Sequence, residues 1–75
     1  MLEQYVKSDH QIMSGNMCFR GTRVPLIGFF QHLEAGYTID QYLEQFPSVQ
    51  REQAVGVLEA LKKLSTEALS NEVAA

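Results

Sequence analysis

The stretch PLIGFFQHLEAGYTIDQYLEQFP, residues 25–47, decides the fold. Pro25 suits the first position of a helix, where its missing N–H would have no partner in any case. Leu26, Phe29, Phe30 and Leu33 follow at i, i+3, i+4 and i+7, the spacing of one buried helical face. Gly36 closes that helix as a left-handed cap. Thr38-Ile39-Asp40-Gln41 then reads as a capping box, in which the Thr38 hydroxyl accepts from the Gln41 backbone N–H and the Gln41 side chain reaches back to the Thr38 N–H. Tyr37 and Tyr42 occupy the staple positions around it, and Asp40 complements the positive helix end. Ile39, Tyr42, Leu43 and Phe46 repeat the apolar stripe, and Pro47 ends it by pushing the residue before it out of the helical region.

Outward from this pair, a third helix is predicted from near Gln50 to about Leu69, with Ala54, Val57, Leu58, Leu61, Leu64 and Ala68 as its stripe. Gly56 interrupts it at a cost of roughly 1 kcal/mol relative to Ala, which points to close packing or to nothing at all. Residues 70–75 are expected to fray. On the other side, residues 1–24 do not read as helix: Gly15 and Gly21 break them, and Ser14-Gly15-Asn16 is turn chemistry. Tyr5-Val6 and Met17-Cys18-Phe19 are candidate short strands, forming one hairpin or an edge offered to a partner. The expectation is one mainly α domain, with an arm over 1–24, a three-helix bundle over 25–69 and a tail over 70–75. The short connections fit a helix-turn-helix and a generic three-helix bundle equally well.

Composition bounds the rest. In 75 residues, 45% hydrophobic and 20% charged, there is room for one small soluble domain. Such a chain buries only about 60% of the surface its unfolded form exposes. With Cys18 as its one cysteine, no internal disulfide can add to that, so helix packing or oligomerisation must. No apolar run is long enough to span a membrane. The N-terminus, with Glu3, lacks the basic-then-apolar pattern of a secretory signal, and a reduced cytoplasm is the expected compartment. The net charge of −3 opposes nonspecific binding to nucleic acid. All of it lies in residues 38–75, while residues 1–37 balance three acids against three bases.

The residue types give little support to catalysis. No paired-carboxylate motif, phosphate loop or nucleophile elbow is present, and no cofactor is expected. Cys18 with His10 or His32 is one conceivable nucleophile and base, but a small buried hydrophobe in a strand is the simpler reading of Cys18. The same three residues are the whole stock of soft metal ligands, and no metal site is expected of them. His32 reads as a surface or helix-end residue. Arg20-Gly21-Thr22-Arg23 is the most distinctive local feature. Arg20, Thr22 and Arg23 are candidates for contact with a phosphate or a partner's carboxylate, since a guanidinium fork matches both. The structural alternative is that one arginine pairs with a carboxylate of its own chain and fixes the arm against the bundle. For DNA, the candidate reading residues are Gln50, Arg51 and Gln53 at the start of the third helix, with Lys62 and Lys63 further along. Glu44, Glu52 and Glu59 nearby would repel phosphates.

Ser8-Asp9, Ile12-Met13, Gly15 and Arg20-Gly21-Thr22-Arg23-Val24-Pro25, continued in register by Ala35-Gly36-Tyr37-Thr38-Ile39, Leu43 and Phe46-Pro47, resemble the bacterial family known as domain of unknown function 433. The sequence departs from the family pattern at His10, at Ser14-Gly15-Asn16-Met17 and at Gln50, where the family usually has a threonine cap. The resemblance implies a homeodomain-like three-helix fold with an N-terminal β arm. For some members it also implies a VapB-like antitoxin encoded beside a PIN-like ribonuclease toxin. It brings no catalytic residues. The expectation is therefore a non-enzymatic antitoxin-like protein that binds a toxin and operator DNA. The alternative is an interaction or structural module without DNA affinity. The third helix outruns the two before it, so its apolar stripe at Leu61, Leu64 and Leu69 is expected to meet a second protomer in a homodimer, or a toxin.

Overall fold

The computed structural model describes residues 2–8 and 17–74, with side chains as far as Glu67. A 3-10 turn, Leu2–Gln4, leads into strand β1, Val6–Ser8, and strand β2, Met17–Phe19. Helices α1, Leu26–Glu34, α2, Ile39–Gln45, and α3, Arg51–Ala74, follow. The strands pair antiparallel in the register Val6↔Phe19, Lys7↔Cys18 and Ser8↔Met17. The Ser14-Gly15-Asn16 turn and His10 lie outside the described residues. No described helix is long and apolar enough to cross a membrane.

The first strand starts at Val6, one residue later than the apolar pair Tyr5-Val6 predicts. The Tyr5 N–H donates to the Leu2 carbonyl at 3.0 Å and so closes the 3-10 turn instead of extending the strand. Pro25 likewise sits one position earlier than expected. Its ψ of 138° is extended, which makes it the N-cap of α1 and lets it bridge to Cys18 across from β2. At the other end of α1, Gly36 has φ +97°. Its N–H donates to Leu33 and that of Tyr37 to His32, both at 3.0 Å, which is the Schellman arrangement that needs a left-handed residue. The capping box of α2 forms as read: Gln41 N–H donates to Thr38 Oγ1 at 3.1 Å, and Thr38 N–H to Gln41 Oε1 at 2.8 Å.

The third helix corrects the sequence reading. It does not fray from Ser70 but continues to Ala74, 24 residues in all. Ser70 and Asn71 are weak helix formers, yet no Gly or Pro follows Gly56, so nothing in the sequence breaks the helix. At 1.5 Å per residue it spans about 36 Å.

One core joins all these elements. Val6, Phe19, Leu26, Phe29, Tyr42, Val49, Ala54 and Val57 are buried together. At its centre Phe29 meets Phe19 edge-on, with centroids 5.6 Å apart, and Tyr42 at 4.8 Å; Tyr42 stacks in turn against Phe46 at 4.8 Å. Of the two readings of His32, surface or helix end, the second holds: it stands in the last turn of α1. It is half-buried between α1 and α2, within 5.2 to 5.5 Å of the Tyr37, Tyr42 and Phe46 rings. Its Nδ1 donates to the Gly28 carbonyl at 2.8 Å. Cover over α3 stops at Ala60 and the half-buried Leu61.

Candidate functional site

The Arg20-Gly21-Thr22-Arg23 turn is built from its own hydrogen bonds. Gly21 takes φ +80°, a left-handed conformation that a side chain resists. Thr22 Oγ1 donates to the Phe19 carbonyl at 2.8 Å and accepts from the Val24 N–H at 3.1 Å. Arg20 turns back over the arm. Its Nε donates to the Glu3 carbonyl at 3.0 Å and one terminal nitrogen to the Val6 carbonyl at 3.4 Å. Arg20 and Thr22 thus make these bonds to the backbone of the arm itself and not to the bundle. Arg23 differs from both: it is exposed and makes no hydrogen bond or ion pair among the described residues.

The start of α3 locks onto this turn through Gln53. Its Nε2 donates to the Arg20 carbonyl at 2.9 Å and lies 3.5 Å from the Tyr5 carbonyl. Its Oε1 accepts from the Gln50 N–H at 3.0 Å. The last bond is half of a capping box, with Gln50 at the N-cap position. The spacing Gln50-x-x-Gln53 repeats that of Thr38-x-x-Gln41, so the sequence carried this signal, although the residue types suggested base reading. Arg51 forms an ion pair with Asp40, tying α3 to the first turn of α2. Both side chains are well exposed, so the pair contributes little to stability. Gln50 and Arg51 remain exposed; Gln53 is half-buried, its amide fully used.

A second contact clamps the same region. A Cβ at Gly56 would come within 2.4 to 2.6 Å of the Tyr5 ring. Of the two readings Gly56 allowed, close packing is the one realised: the ring lies against helix backbone, and only glycine leaves room for it. Between the turn and α3 runs an open, mostly polar groove of about 660 Å³, bordered by Tyr5, Arg20, Thr22, Gln50 and Gln53. Beyond Gly56 a second groove of about 520 Å³, floored by Tyr5 and Ala60, follows α3 towards Lys63 and Glu67.

The three leucines predicted to form an interface separate. Leu61 packs against the core, Leu64 stands 45% exposed past its end, and the Leu69 side chain lies outside the described residues. Around Leu64 the helix is exposed on every side, from Lys62 to Glu67. The face of α3 turned from the core carries Arg51, Glu52, Val55, Glu59 and Lys62, the last paired with Glu59 at 3.3 Å. It is balanced in charge. Cys18 is fully buried in β2. One hydroxyl stands out in the core: Tyr42 Oη has no hydrogen-bond partner among the described residues, and burial pushes its pKa up from 10.0 to about 12.

The family model described as a protein of unknown function, DUF433, matches residues 6–60. No curated protein and no solved structure matches the chain. The matched span ends where cover over α3 ends.

Proposed function

The chain belongs to the DUF433 family of unknown function, and from that premise we propose that it is a non-enzymatic, antitoxin-like protein that works by binding another protein. The observation that carries this reading is the overhang of α3. The helix continues to Ala74; among the described side chains cover ends at Leu61, those from Lys62 to Glu67 are exposed, and Leu64 is left 45% exposed. Leu64 carries the core-facing stripe of α3 past the end of the core, where a partner protein would continue its packing. The family resemblance implies which one: a PIN-like ribonuclease encoded beside it. The burial of Cys18, the one thiol, supports a non-enzymatic role, and a reduced cytoplasm suits it.

In this reading α2, the turn and α3 form a homeodomain-like helix-turn-helix, and DNA contact is secondary to partner contact. The side chains at the head of α3 favour that order. Gln53 is committed to Arg20 and Gln50, Arg51 is paired with Asp40, and Glu52 and Glu59 face the same solvent. Operator binding would require Arg51 to exchange Asp40 for a phosphate or a base edge.

Co-expression with the adjacent ribonuclease tests the reading. A stable complex with suppressed RNA cleavage is expected, and Leu64→Glu should break both. A ribonuclease that neither binds the chain nor is inhibited by it would refute the proposal. A shift assay at low salt with DNA upstream of the gene, on wild type and Arg51→Ala, tests the DNA part.

A further inference from the structure

The outer face of α1 lies far from the α3 overhang in the chain and carries a second unexplained apolar patch. Ile27 is 50% exposed and Met17, on the neighbouring strand, 46%. With Leu26 and Phe30 they border an open groove of about 270 Å³. Ile27, Gln31 and Glu34 follow one another along the helix at i, i+4 and i+7, with Phe30 at the edge of the row. Arg23 precedes the helix and Glu34 ends it. Neither makes a hydrogen bond or ion pair among the described residues.

Both charges stand at the wrong end of their own helix. The N-terminus of a helix is positive and favours anions, and its C-terminus favours cations. Here the arginine is at the positive end and the glutamate at the negative one. The first turn of α1 contains no acidic residue, and Pro25 provides no side-chain cap. Everything that is unfavourable within one chain becomes favourable against an antiparallel copy. There, Glu34 meets the uncapped first turn and Arg23 of the other molecule, and Arg23 meets the other molecule's C-terminal carbonyls and Glu34. The residue numbers agree with this. A twofold axis midway between Gly28 and Phe29 sets Arg23 opposite Glu34 and, in the same register, Ile27 opposite Phe30. An isologous interface needs this reciprocity.

We propose that this face is the homodimer contact, with α1 packed antiparallel on α1 of a second copy: Ile27 and Phe30 at the centre, Arg23–Glu34 pairs at both ends. It is separate from the α3 surface proposed for the partner protein.

Sedimentation equilibrium of the full chain at micromolar concentrations is the test. Wild type should be dimeric. Ile27→Glu should be monomeric, with its helical circular dichroism retained. Arg23→Glu and Glu34→Arg should each weaken association roughly tenfold. Each of these two relieves a clash with its own helix dipole, so the isolated chain should melt no lower than wild type; a fold defect would lower it. Mixing the two single variants should restore association, because each then supplies the charge the other lacks. Leu64→Glu should remain dimeric. A monomeric wild type, a dimeric Ile27→Glu, or a mixture that stays apart would overturn the proposal. Should Ile27→Glu fail to fold, the exposed charge variants and their mixture decide alone.

Discussion

The two halves of α3 make a controlled comparison within one helix. From Arg51 to Leu61 the arm and the other helices cover one side: Ala54, Val57 and Ala60 are buried, Tyr5 lies on Gly56, and Gln53 is bonded to the Arg20 carbonyl. From Lys62 to Glu67 every described side chain is exposed. The second half, with Ser65, Thr66, Ser70, Asn71 and Val73, has no better helix propensity than the first, with its glycine and two valines. The order of the first half comes from tertiary contact, whereas that of the second half rests on local propensity and pairs such as Lys62–Glu59. A single helix can therefore serve as a structural wall at one end and a displaceable surface at the other.

The sharpest way to break this comparison is to truncate the same stripe on either side of the boundary. Val57→Ala should lower the unfolding free energy by about 2 kcal/mol, because Val57 is fully buried. Leu64→Ala should change it by less than about 0.5 kcal/mol, as expected for an exposed position. Urea melts of both will tell, and equal losses would mean that the overhang is covered after all.

Tyr42 sharpens it from the core. A buried hydroxyl without a partner is a standing cost, so Tyr42→Phe should raise stability by about 1 kcal/mol at neutral pH. The folded-state pKa is raised, so the neutral form is favoured by folding; this contribution is present below pH 10 and is lost as pH rises towards 12. Wild type should lose about 2 kcal/mol over that range through this group, and Tyr42→Phe should not. By amide exchange, the extra stability should slow residues 51–60 and leave residues 62–74 unchanged.

Gln53→Ala removes the bonds from α3 to the turn and half of its N-cap, and about 1–2 kcal/mol should go with them. Gly56→Ala gives a smaller effect with a diagnostic sign. In wild type the new methyl displaces the Tyr5 ring, and the variant should be neutral or less stable. In a Tyr5→Ala background the same substitution should stabilise by about 1 kcal/mol, the intrinsic helix preference of alanine over glycine. Thermal melts of the four chains close this cycle.

These residues also show how far the sequence could be read. α1 and α2 were legible because their signals are local: a glycine at the left-handed cap, a Thr-x-x-Gln box, a proline after the last turn. The second strand, Met17–Phe19, was legible as a short apolar run. What failed was non-local. Nothing near Gln53 in the sequence says that its amide will find a carbonyl 33 residues earlier. Gly56 announced a close approach without naming Tyr5. His32 was legible as a helix-end residue, but not its burial, because the aromatic rings around it come mainly from the next helix and its end. Arg20 and Arg23 look alike as residue types, yet one grips the arm and the other makes no hydrogen bond or ion pair among the described residues.

The grip of Arg20 has a consequence for solubility. In the β1–β2 register the Arg20 N–H donates to the Tyr5 carbonyl at 2.8 Å, which turns the Val6 carbonyl away from β2, to the outer rim of the hairpin. A rim of this kind invites strand addition from any neighbouring chain, the first step of sheet-to-sheet aggregation. The Arg20 guanidinium occupies that carbonyl and brings a positive charge to the spot. A three-residue strand, closed at its outer rim by an arginine from its own hairpin, is a poor template for growth.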